Sequence, residues 1–364
     1  MNENIKNEHH VSFENIIRIT YPVILSMFTL NIMVFVDRAF VAKYSLTQFA
    51  ATMPASNLAT TVASIFIGIV GFLSALVSQY YGAQKYKECA SSMWQGVYIS
   101  IFFSLLLLII SLVASNIFQV MGHTGELLKY ERQYFNLLVL SSCVQLFSTA
   151  FSSLYRGIGD TKTTMFVGIL ANIFNVLLDW VLIYGKLGFP EMGGVFGSGV
   201  ATLISSIIGV MTYISLLNKN DFKKKYKVFT NLKLDKSLMY KLLRFGFPAG
   251  IQSFVGTGYF SLLLLIIGKT GEFNLSSANI AFTIEGVSIF PVWGLGTAVS
   301  IIAGQERGAG RIDNVIKVVK KGILIGLCFN LIIIVLYNFF PHLLISIFNS
   351  GKDKTLVPHK HRDI

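Results

Sequence analysis

Residues 71–83, GFLSALVSQYYGA, correspond to residues 297–309 of the same chain, TAVSIIAGQERGA. The correspondence extends back without a gap to Pro22 in the first copy and to Pro248 in the second, always 226 positions apart. This separation far exceeds the period of a solenoid protein, which is about 20–50 residues. In a chain rich in apolar residues, such a repeat indicates a transporter built from two related halves.

The composition is that of a protein embedded in a bilayer. Of the 364 residues, 53% are hydrophobic and 13% are charged, whereas a soluble domain carries about 25% charged residues. The net charge of +12 does not indicate nucleic-acid binding, because the basic residues lie in short loops between apolar runs. The three cysteines are spaced for neither a disulfide framework nor a metal site.

Nine apolar runs reach the length of about 20 residues that a helix needs to cross a bilayer. Their approximate limits are 19–41, 53–81, 93–117, 134–155, 164–185, 196–217, 246–268, 276–304 and 322–348. Lys and Arg residues concentrate in alternate loops, on the side of the N-terminus, which predicts a cytoplasmic N-terminus. The predicted fold class is therefore an all-α polytopic membrane protein.

The repeat predicts two six-helix bundles with a linker between them. The first bundle is expected over residues 1–217, a basic cytoplasmic linker over 218–245, a partial second bundle of three helices over 246–350 and an aberrant polar tail over 351–364. The counterparts of helices four to six would fall beyond Ile364. We therefore expect an incomplete second bundle, about nine transmembrane helices in all, and a prematurely ended gene as the cause.

A series of motifs, in order along about residues 13 to 350, resembles the multidrug and toxic compound extrusion (MATE) family. The motifs are Pro22, taken as the opening of helix one, with Asp37; Gln79-x-x-Gly82-Ala83; Gly157-x-Gly159-Asp160-Thr161-Lys162-Thr163; Asn172-x-x-Asn175-x-x-x-Asp179; Gly194-x-x-Gly197-x-Gly199-Val200-Ala201-Thr202; Gly246-Phe247-Pro248; and Gln305-x-x-Gly308-Ala309-Gly310. The resemblance implies two six-helix bundles around a central cavity that exchange Na⁺ or H⁺ for organic, often cationic, drugs. It also implies a bacterial inner membrane as the location.

Four polar residues inside the spans are candidates for a cation-binding and coupling site. Asp37, Asp179 and Thr202 are expected at depths within about one helical turn of each other. Asn175 precedes Asp179 by four positions and so shares its helix face. Two carboxylates, an amide and a hydroxyl at one level suit Na⁺, or a proton shared between the carboxylates. The resemblance points to the same cluster.

A structural interpretation of these residues stays open. Asp37 would then pair with the adjacent Arg38 near the membrane interface, while Asn175 and Asp179 would form hydrogen bonds between helices. Ionisable groups inside a membrane cost about 2.5–3.5 kcal/mol each on insertion scales. That cost favours a functional explanation for the two aspartates.

Glu285 and Gln252 are candidates for a substrate cavity. Glu285 lies deep within an apolar run, where its carboxylate would attract cationic drugs or carry a coupling proton; bonding to another helix is the alternative. For Gln252, as for Gln145, hydrogen bonding between helices is the favoured interpretation. Asn172 is likewise expected to join helices.

Prolines and glycines suggest special backbone positions, and Pro22 with Pro248 and Gly82 with Gly308 are equivalent in the two copies. Pro22, Pro248 and Pro291 lack a backbone donor and would form either hinges or fixed bends. Gly82 and Gly308 are expected to terminate helices.

The predicted function is a secondary active multidrug antiporter, not an enzyme, with Na⁺ or H⁺ as coupling ion and no other cofactor. The expected partners are small-molecule drugs or organic cations and the lipid bilayer, without nucleic acid, and the chain is expected to be a monomer.

The sequence contains no phosphate-binding loop of the Gly-x-x-x-x-Gly-Lys-Ser/Thr type, which disfavours ATP as the driving force. Two alternatives remain: a lipid-linked oligosaccharide flippase of the same superfamily, which the scarcity of Lys and Arg inside the spans disfavours, and a non-functional truncated remnant.

Overall fold

A computed structural model describes residues 11–230, 232–268 and 272–340. These segments contain α-helices and no strand, so the all-α prediction is confirmed. The helices are α1 (Phe13–Tyr44), α2 (Leu46–Gly71), α3 (Leu73–Gly82), α4 (Tyr86–Ala114), α5 (Ile117–Val120), α6 (Gly125–Gly157), α7 (Thr161–Tyr184), α8 (Gly194–Leu217), α9 (Asn220–Tyr226), α10 (Lys236–Gly268), α11 (Glu272–Gly308) and α12 (Ile312–Phe339).

Eight segments of the described chain are long and apolar enough to cross a membrane. They are α1, α2 with α3, α4 with α5, α6, α7, α8, the Ser288–Gly308 part of α11, and α12. The remaining predicted run, 246–268, lies within α10. The chain is thus a polytopic membrane protein, as predicted. The predicted tail, 351–364, lies outside the described residues, and the domain limits stay a prediction.

The first helix begins earlier than predicted. Ser12 is its N-cap and accepts a hydrogen bond from the backbone N of Asn15 at 3.1 Å, a common way to satisfy a free donor at a helix start. Pro22 therefore lies inside α1, and the prediction that it opens the helix is wrong. Pro248 and Pro291 also lie inside helices. Capping residues upstream, rather than the prolines, determine the start of α1.

The predicted second span, 53–81, consists of two helices. They meet at Phe72, whose backbone N donates to the carbonyl O of Gly68 at 3.2 Å. Just after the junction, Ser74 Oγ donates to the carbonyl O of Gly71 at 3.0 Å. Such side-chain contacts compete with helical hydrogen bonds and often bend helices, which is consistent with an interruption here.

Small residues let the helices approach closely. Ala51, Ala55, Ala59 and Ala63 recur every four positions along α2 and are almost completely buried. Residues spaced by four lie on one helix face, and small side chains are typical of contacts between membrane helices. The helix that carries this stripe, α2, packs extensively against both α6 and α10.

The two copies of the repeat meet at their glycines. A Cβ atom on Gly82 would lie 1.8 Å from the carbonyl O of Gln305, and one on Gly308 would lie 1.9 Å from the carbonyl O of Gln79. Real Cβ atoms do not approach other atoms so closely. The glycine of each copy therefore leaves room for the backbone of the other copy, and α3 and α11 are in close contact at both glycines.

The two helices end where predicted, α3 at Gly82 and α11 at Gly308, but this contact gives the two glycines a further role. The left-handed backbone conformation that usually ends a helix occurs two residues later, at Gln84 (φ 58°) and at Gly310 (φ 76°). These two positions are also 226 residues apart. The glycines at 82 and 308 are therefore required by the close approach of two helices rather than by the turn that follows.

The segment between α9 and α10 is hydrogen-bonded to side chains of α4. Trp94 Nε1 donates to the carbonyl O of Val228 at 2.7 Å, and the hydroxyl of Tyr98 donates to the carbonyl O of Leu232. These side chains are four positions apart and so lie on one face of α4. The segment is thereby held against the first copy of the repeat.

Gln95 completes this attachment. Its Nε2 donates to the carbonyl O of Lys233 at 3.1 Å, and its Oε1 accepts from the backbone N of Asp235 at 3.1 Å. Asp235 in turn accepts hydrogen bonds from the backbone N atoms of Ser237 and Leu238 at 2.8 and 3.1 Å. As a result, α10 begins at Lys236, well before the predicted limit of the linker. The end of the bundle that carries residues 218–235 is called the linker end below.

Candidate functional site

The candidate site is built around Asp37, which is buried in α1. Ser198 Oγ, from α8, donates to Asp37 Oδ1 at 2.5 Å. The hydroxyl of Tyr134, from α6, donates to Asp37 Oδ2 at 3.3 Å. Hydrogen bonds to a carboxylate are stronger than those between neutral groups, so these two contacts fix the orientation of the Asp37 side chain.

Asp179, on α7, is close enough to Asp37 for the two carboxyl groups to interact electrostatically. Asp179 is fully buried, and neither of its carboxyl oxygens accepts a hydrogen bond from the described residues. Two carboxylates in contact cannot both be ionised without compensation. The pair therefore has a place for a proton or a cation.

Asn175 and Thr202 extend the cluster. Asn175 Nδ2 donates to Thr202 Oγ1 at 3.3 Å, and Thr202 Oγ1 donates to the carbonyl O of Ser198 at 3.0 Å. Asn175 Oδ1 is buried and has no hydrogen-bond donor among the described residues. A buried acceptor without a partner costs about 1–3 kcal/mol. Together with the two Asp179 oxygens, it forms a set of buried acceptors that a cation would satisfy.

Glycines at the start of α8 bring Ser198 into this position. A Cβ on Gly197 would lie 3.0 Å from the backbone N of Ile183 in α7, and one on Gly199 would lie 2.6 Å from the side chain of Leu137 in α6. The start of α8 is thus wedged between α6 and α7. Ser198, between the two glycines, can reach Asp37 because no larger side chain separates the helices.

A cavity of about 230 Å³ lies next to the cluster. Its lining comes from α1, α2, α6 and α8 and includes Asp37, Arg38, Ser56, Thr60, Tyr134, Gln145, Thr202 and Ser206. Asp37 lines the cavity, whereas Asp179 and Asn175 do not. Asp37 therefore lies between the cavity and the buried acceptors behind it.

The structure brings together the four residues predicted as a cation site, Asp37, Asn175, Asp179 and Thr202. The alternative pairing of Asp37 with Arg38 is not formed: Arg38 makes only a minor electrostatic contribution at Asp37. The coupling role of the four residues stays a prediction.

The other polar residues of the spans divide into two groups. Glu285 and Gln252 have exposed side chains and do not line the cavity beside Asp37, so their role in substrate binding stays a prediction. Gln145 lines that cavity, and hydrogen bonding between helices stays the prediction for it. Asn172 Nδ2 donates to Thr29 Oγ1 at 3.4 Å, which confirms that it joins α7 to α1.

Sequence reasoning missed Tyr134 and Ser198, the two donors to Asp37. Ser198 had an available signal, since it precedes Thr202 by four positions on the same helix face and lies between two glycines of a quoted motif. Tyr134 begins an apolar run, where tyrosine is typical of the membrane interface. Its inward orientation depends on the rotation of α6, for which the sequence gives no independent signal.

Comparison with known proteins identifies relatives along most of the chain. The sequence model of the MatE family matches residues 22–181 and 248–358. The "Probable multidrug resistance protein NorM" of Thermotoga maritima is 28% identical over 320 residues, which cover 86% of this chain and 67% of that protein. The protein of the same name from Listeria innocua is 28% identical over 298 residues, covering 80% and 64%. The chain thus spans about two thirds of the length of these curated relatives.

The fold is also similar to solved structures. A structure described as the outward-facing conformation of a multidrug resistance MATE family transporter of the MOP superfamily superposes with a TM-score of 0.81. The superposition covers 93% of this chain and 74% of that one, at 20% sequence identity. At this identity the likeness concerns the fold alone.

Proposed function

This chain belongs to the MATE family, and on that premise we propose that it exports organic, often cationic, compounds across a membrane in exchange for Na⁺ or H⁺. The observation that carries the proposal is the set of buried oxygens without donors on Asp179 and Asn175, directly behind Asp37. A structural polar contact between helices would satisfy these atoms. An ion-binding site leaves them free for the ion.

Binding of the ion would be coupled to helix packing through Asp37. Tyr134 and Ser198 hold its carboxylate from α6 and α8, while Asp179 approaches it from α7. A proton or cation between the two carboxylates removes their mutual repulsion. The ion therefore binds better when α1, α7 and α8 are close together, and its differential affinity shifts the balance between two conformations.

The substrate would enter next to this ion site. The cavity beside Asp37 has a volume of about 230 Å³, which is below the range of about 300–1,000 Å³ for small-molecule sites. An organic substrate therefore requires a wider state of the same cavity. The carboxylate of Asp37 at the cavity wall favours cationic compounds, although the neighbouring Arg38 reduces that preference.

The orientation in the membrane follows from the basic residues. The segment from Lys219 to Lys236 carries several lysines at the linker end. Short loops rich in Lys and Arg remain in the cytoplasm. We therefore propose that the linker end faces the cytoplasm; the bacterial inner membrane is proposed from the resemblance to the family.

The test uses Asp37→Asn in the full chain reconstituted into vesicles. An imposed Na⁺ or H⁺ gradient should drive efflux of a fluorescent organic cation by the unchanged protein and not by the variant. Asp313→Asn, at an exposed position of α12, is the matched control and should leave efflux unchanged. Normal gradient-driven efflux by Asp37→Asn would contradict the proposal.

A lipid-linked oligosaccharide flippase is the second candidate. The observation in its favour is Arg38, a cation in the lining of the described cavity, because arginine binds phosphate groups well. A pyrophosphate carries more charge than this one side chain offsets, so the antiporter remains the preferred function. Transport of a fluorescent lipid-linked sugar by the same vesicles would reverse this preference.

A further inference from the structure

Two neighbouring cavities at the linker end have opposite chemical character. The first, of about 370 Å³, is lined mostly by polar groups and includes Arg18, Lys162 and the loop residues before α7. The second, of about 190 Å³, is lined almost entirely by apolar groups from α1, α11 and α12. Neither belongs to the ion site described above, which lies further along α1.

The polar cavity is positively charged. Arg18 and Lys162 are exposed, and neither forms an ion pair with a carboxylate within the part of the chain that the structure describes. The acidic residue of the cavity is Asp160, and both of its oxygens are engaged by Thr163, from the backbone N at 3.1 Å and from Oγ1 at 2.6 Å. The two cations therefore remain available to an anion.

The apolar cavity is a groove between the two copies of the repeat. Ile17 and Ile24 of α1 form one wall, Leu295 of α11 another and Phe329 of α12 the third. Gly326 lines the groove, and a Cβ there would make ordinary van der Waals contact with Leu295 at 3.6 Å. The groove thus has the apolar character suited to a hydrocarbon chain.

The two cavities adjoin each other at Tyr21. Its ring lines the apolar groove, and Lys162 Nζ, which belongs to the polar cavity, lies 5.9 Å from the ring centroid. Ile17 and Arg18 are consecutive residues that line one cavity each. A molecule with a charged head and an apolar tail would therefore contact both cavities at once.

We propose that the two cavities together bind one anionic phospholipid from the leaflet at the linker end. Its phosphate is held by Arg18 and Lys162, and one acyl chain lies in the groove between α1, α11 and α12. Basic pockets between membrane helices are known to bind anionic headgroups. Because the groove joins α1 to α11, the lipid bridges the two copies of the repeat.

The experiment measures which lipid the purified full chain retains. The protein in detergent is incubated with an equal mixture of phosphatidylglycerol and phosphatidylcholine, and the lipid that remains bound after gel filtration is quantified by mass spectrometry. The unchanged protein should prefer phosphatidylglycerol. In the double variant Arg18→Gln with Lys162→Gln, the ratio of bound phosphatidylglycerol to bound phosphatidylcholine should fall by about tenfold. This is the effect expected for the loss of a charge-assisted hydrogen bond.

Control variants separate a specific site from general charge. Lys224→Gln with Lys236→Gln removes two exposed lysines outside both cavities and should retain the preference. Equal loss in this control would overturn the proposal, as would an unchanged preference in the Arg18 and Lys162 variant. Glycerol 3-phosphate should not displace the lipid; complete displacement would show a site for free anions and would also overturn it.

The groove has its own test, which does not depend on the basic residues. Gly326→Leu fills the groove and should reduce retention of both lipids at this site, whereas Gly296→Leu adds the same side chain at an exposed position outside it. Melting temperatures establish that each variant is folded. If Gly326→Leu retains as much lipid as Gly296→Leu, the groove does not hold an acyl chain and the proposal fails.

Discussion

Asp179→Asn should stabilise the protein in the absence of the coupling ion and abolish its response to that ion. Two like charges about 4 Å apart repel each other by about 4 kcal/mol at an effective dielectric constant of about 20, which sets the scale for Asp37 and Asp179 when both are ionised. Asn has the same shape, carries no charge and can donate an N–H to the Asp37 carboxylate. The variant therefore gains up to that amount of stability at a pH at which both carboxylates of the unchanged protein are ionised, and less at a pH at which the pair holds a proton.

The unchanged protein should obtain comparable stability only from its ion. A ligand at a concentration 100 times its dissociation constant stabilises the state that binds it by about 2.7 kcal/mol. Adding the ion should therefore raise the melting temperature of the unchanged protein towards that of Asp179→Asn. The variant should respond much less, because half of the carboxylate pair is gone.

The assay is thermal unfolding of the purified full chain in detergent, followed by intrinsic fluorescence. Sodium chloride is compared with choline chloride at equal ionic strength, and the pH is lowered in a separate series to detect H⁺ as the ion. Asp313→Asn should behave as the unchanged protein does. A lower melting temperature for Asp179→Asn in choline, together with an undiminished response to Na⁺ or H⁺, would refute the reasoning.

Two further predictions concern the contacts around the site and between the repeats. Ser198→Ala removes the 2.5 Å hydrogen bond to Asp37, which stabilises the ionised carboxylate by about 1.5–3 kcal/mol, and should therefore strengthen proton binding at this site by about tenfold or more; titration of the melting temperature against pH checks this, and an unchanged midpoint would exclude it. Gly308→Ala places a Cβ 1.9 Å from the carbonyl O of Gln79 and should destabilise the protein by about 1–3 kcal/mol or more. Gly296→Ala, where a Cβ meets nothing within 4 Å, is the control, and equal melting temperatures for the two variants would show that the junction is looser than described.

The helices and the polar cluster were predictable because they depend on quantities that the sequence carries. Long apolar runs determine the spans, and helical rise converts the positions of Asp37, Asp179 and Thr202 into similar depths. Depth alone does not determine which way a side chain faces. For the two carboxyl groups to meet, α1 and α7 must be rotated so that Asp37 and Asp179 face each other. The sequence does not determine these rotations.

Contacts to backbone atoms of irregular segments were not predictable. Gln95 binds the carbonyl of Lys233 and the backbone N of Asp235, and these partners have no side-chain pattern that would reveal them. Similarly, a glycine at the end of an apolar run suits both a helix terminus and a close helix contact. Only the position of the other copy of the repeat distinguishes the two roles of Gly82.

The close contact of Gly82 and Gly308 with the backbone of the opposite copy limits how the sequences of the two copies can diverge. A duplicated sequence is ordinarily free to change in one copy while the other is retained, but here a side chain gained by either copy collides with the main chain of its sister. Each of the two positions therefore requires glycine for as long as the helices cross here. A chimaera assembled from halves of different relatives would need a glycine from both parents at this crossing, whatever else the parents had come to transport.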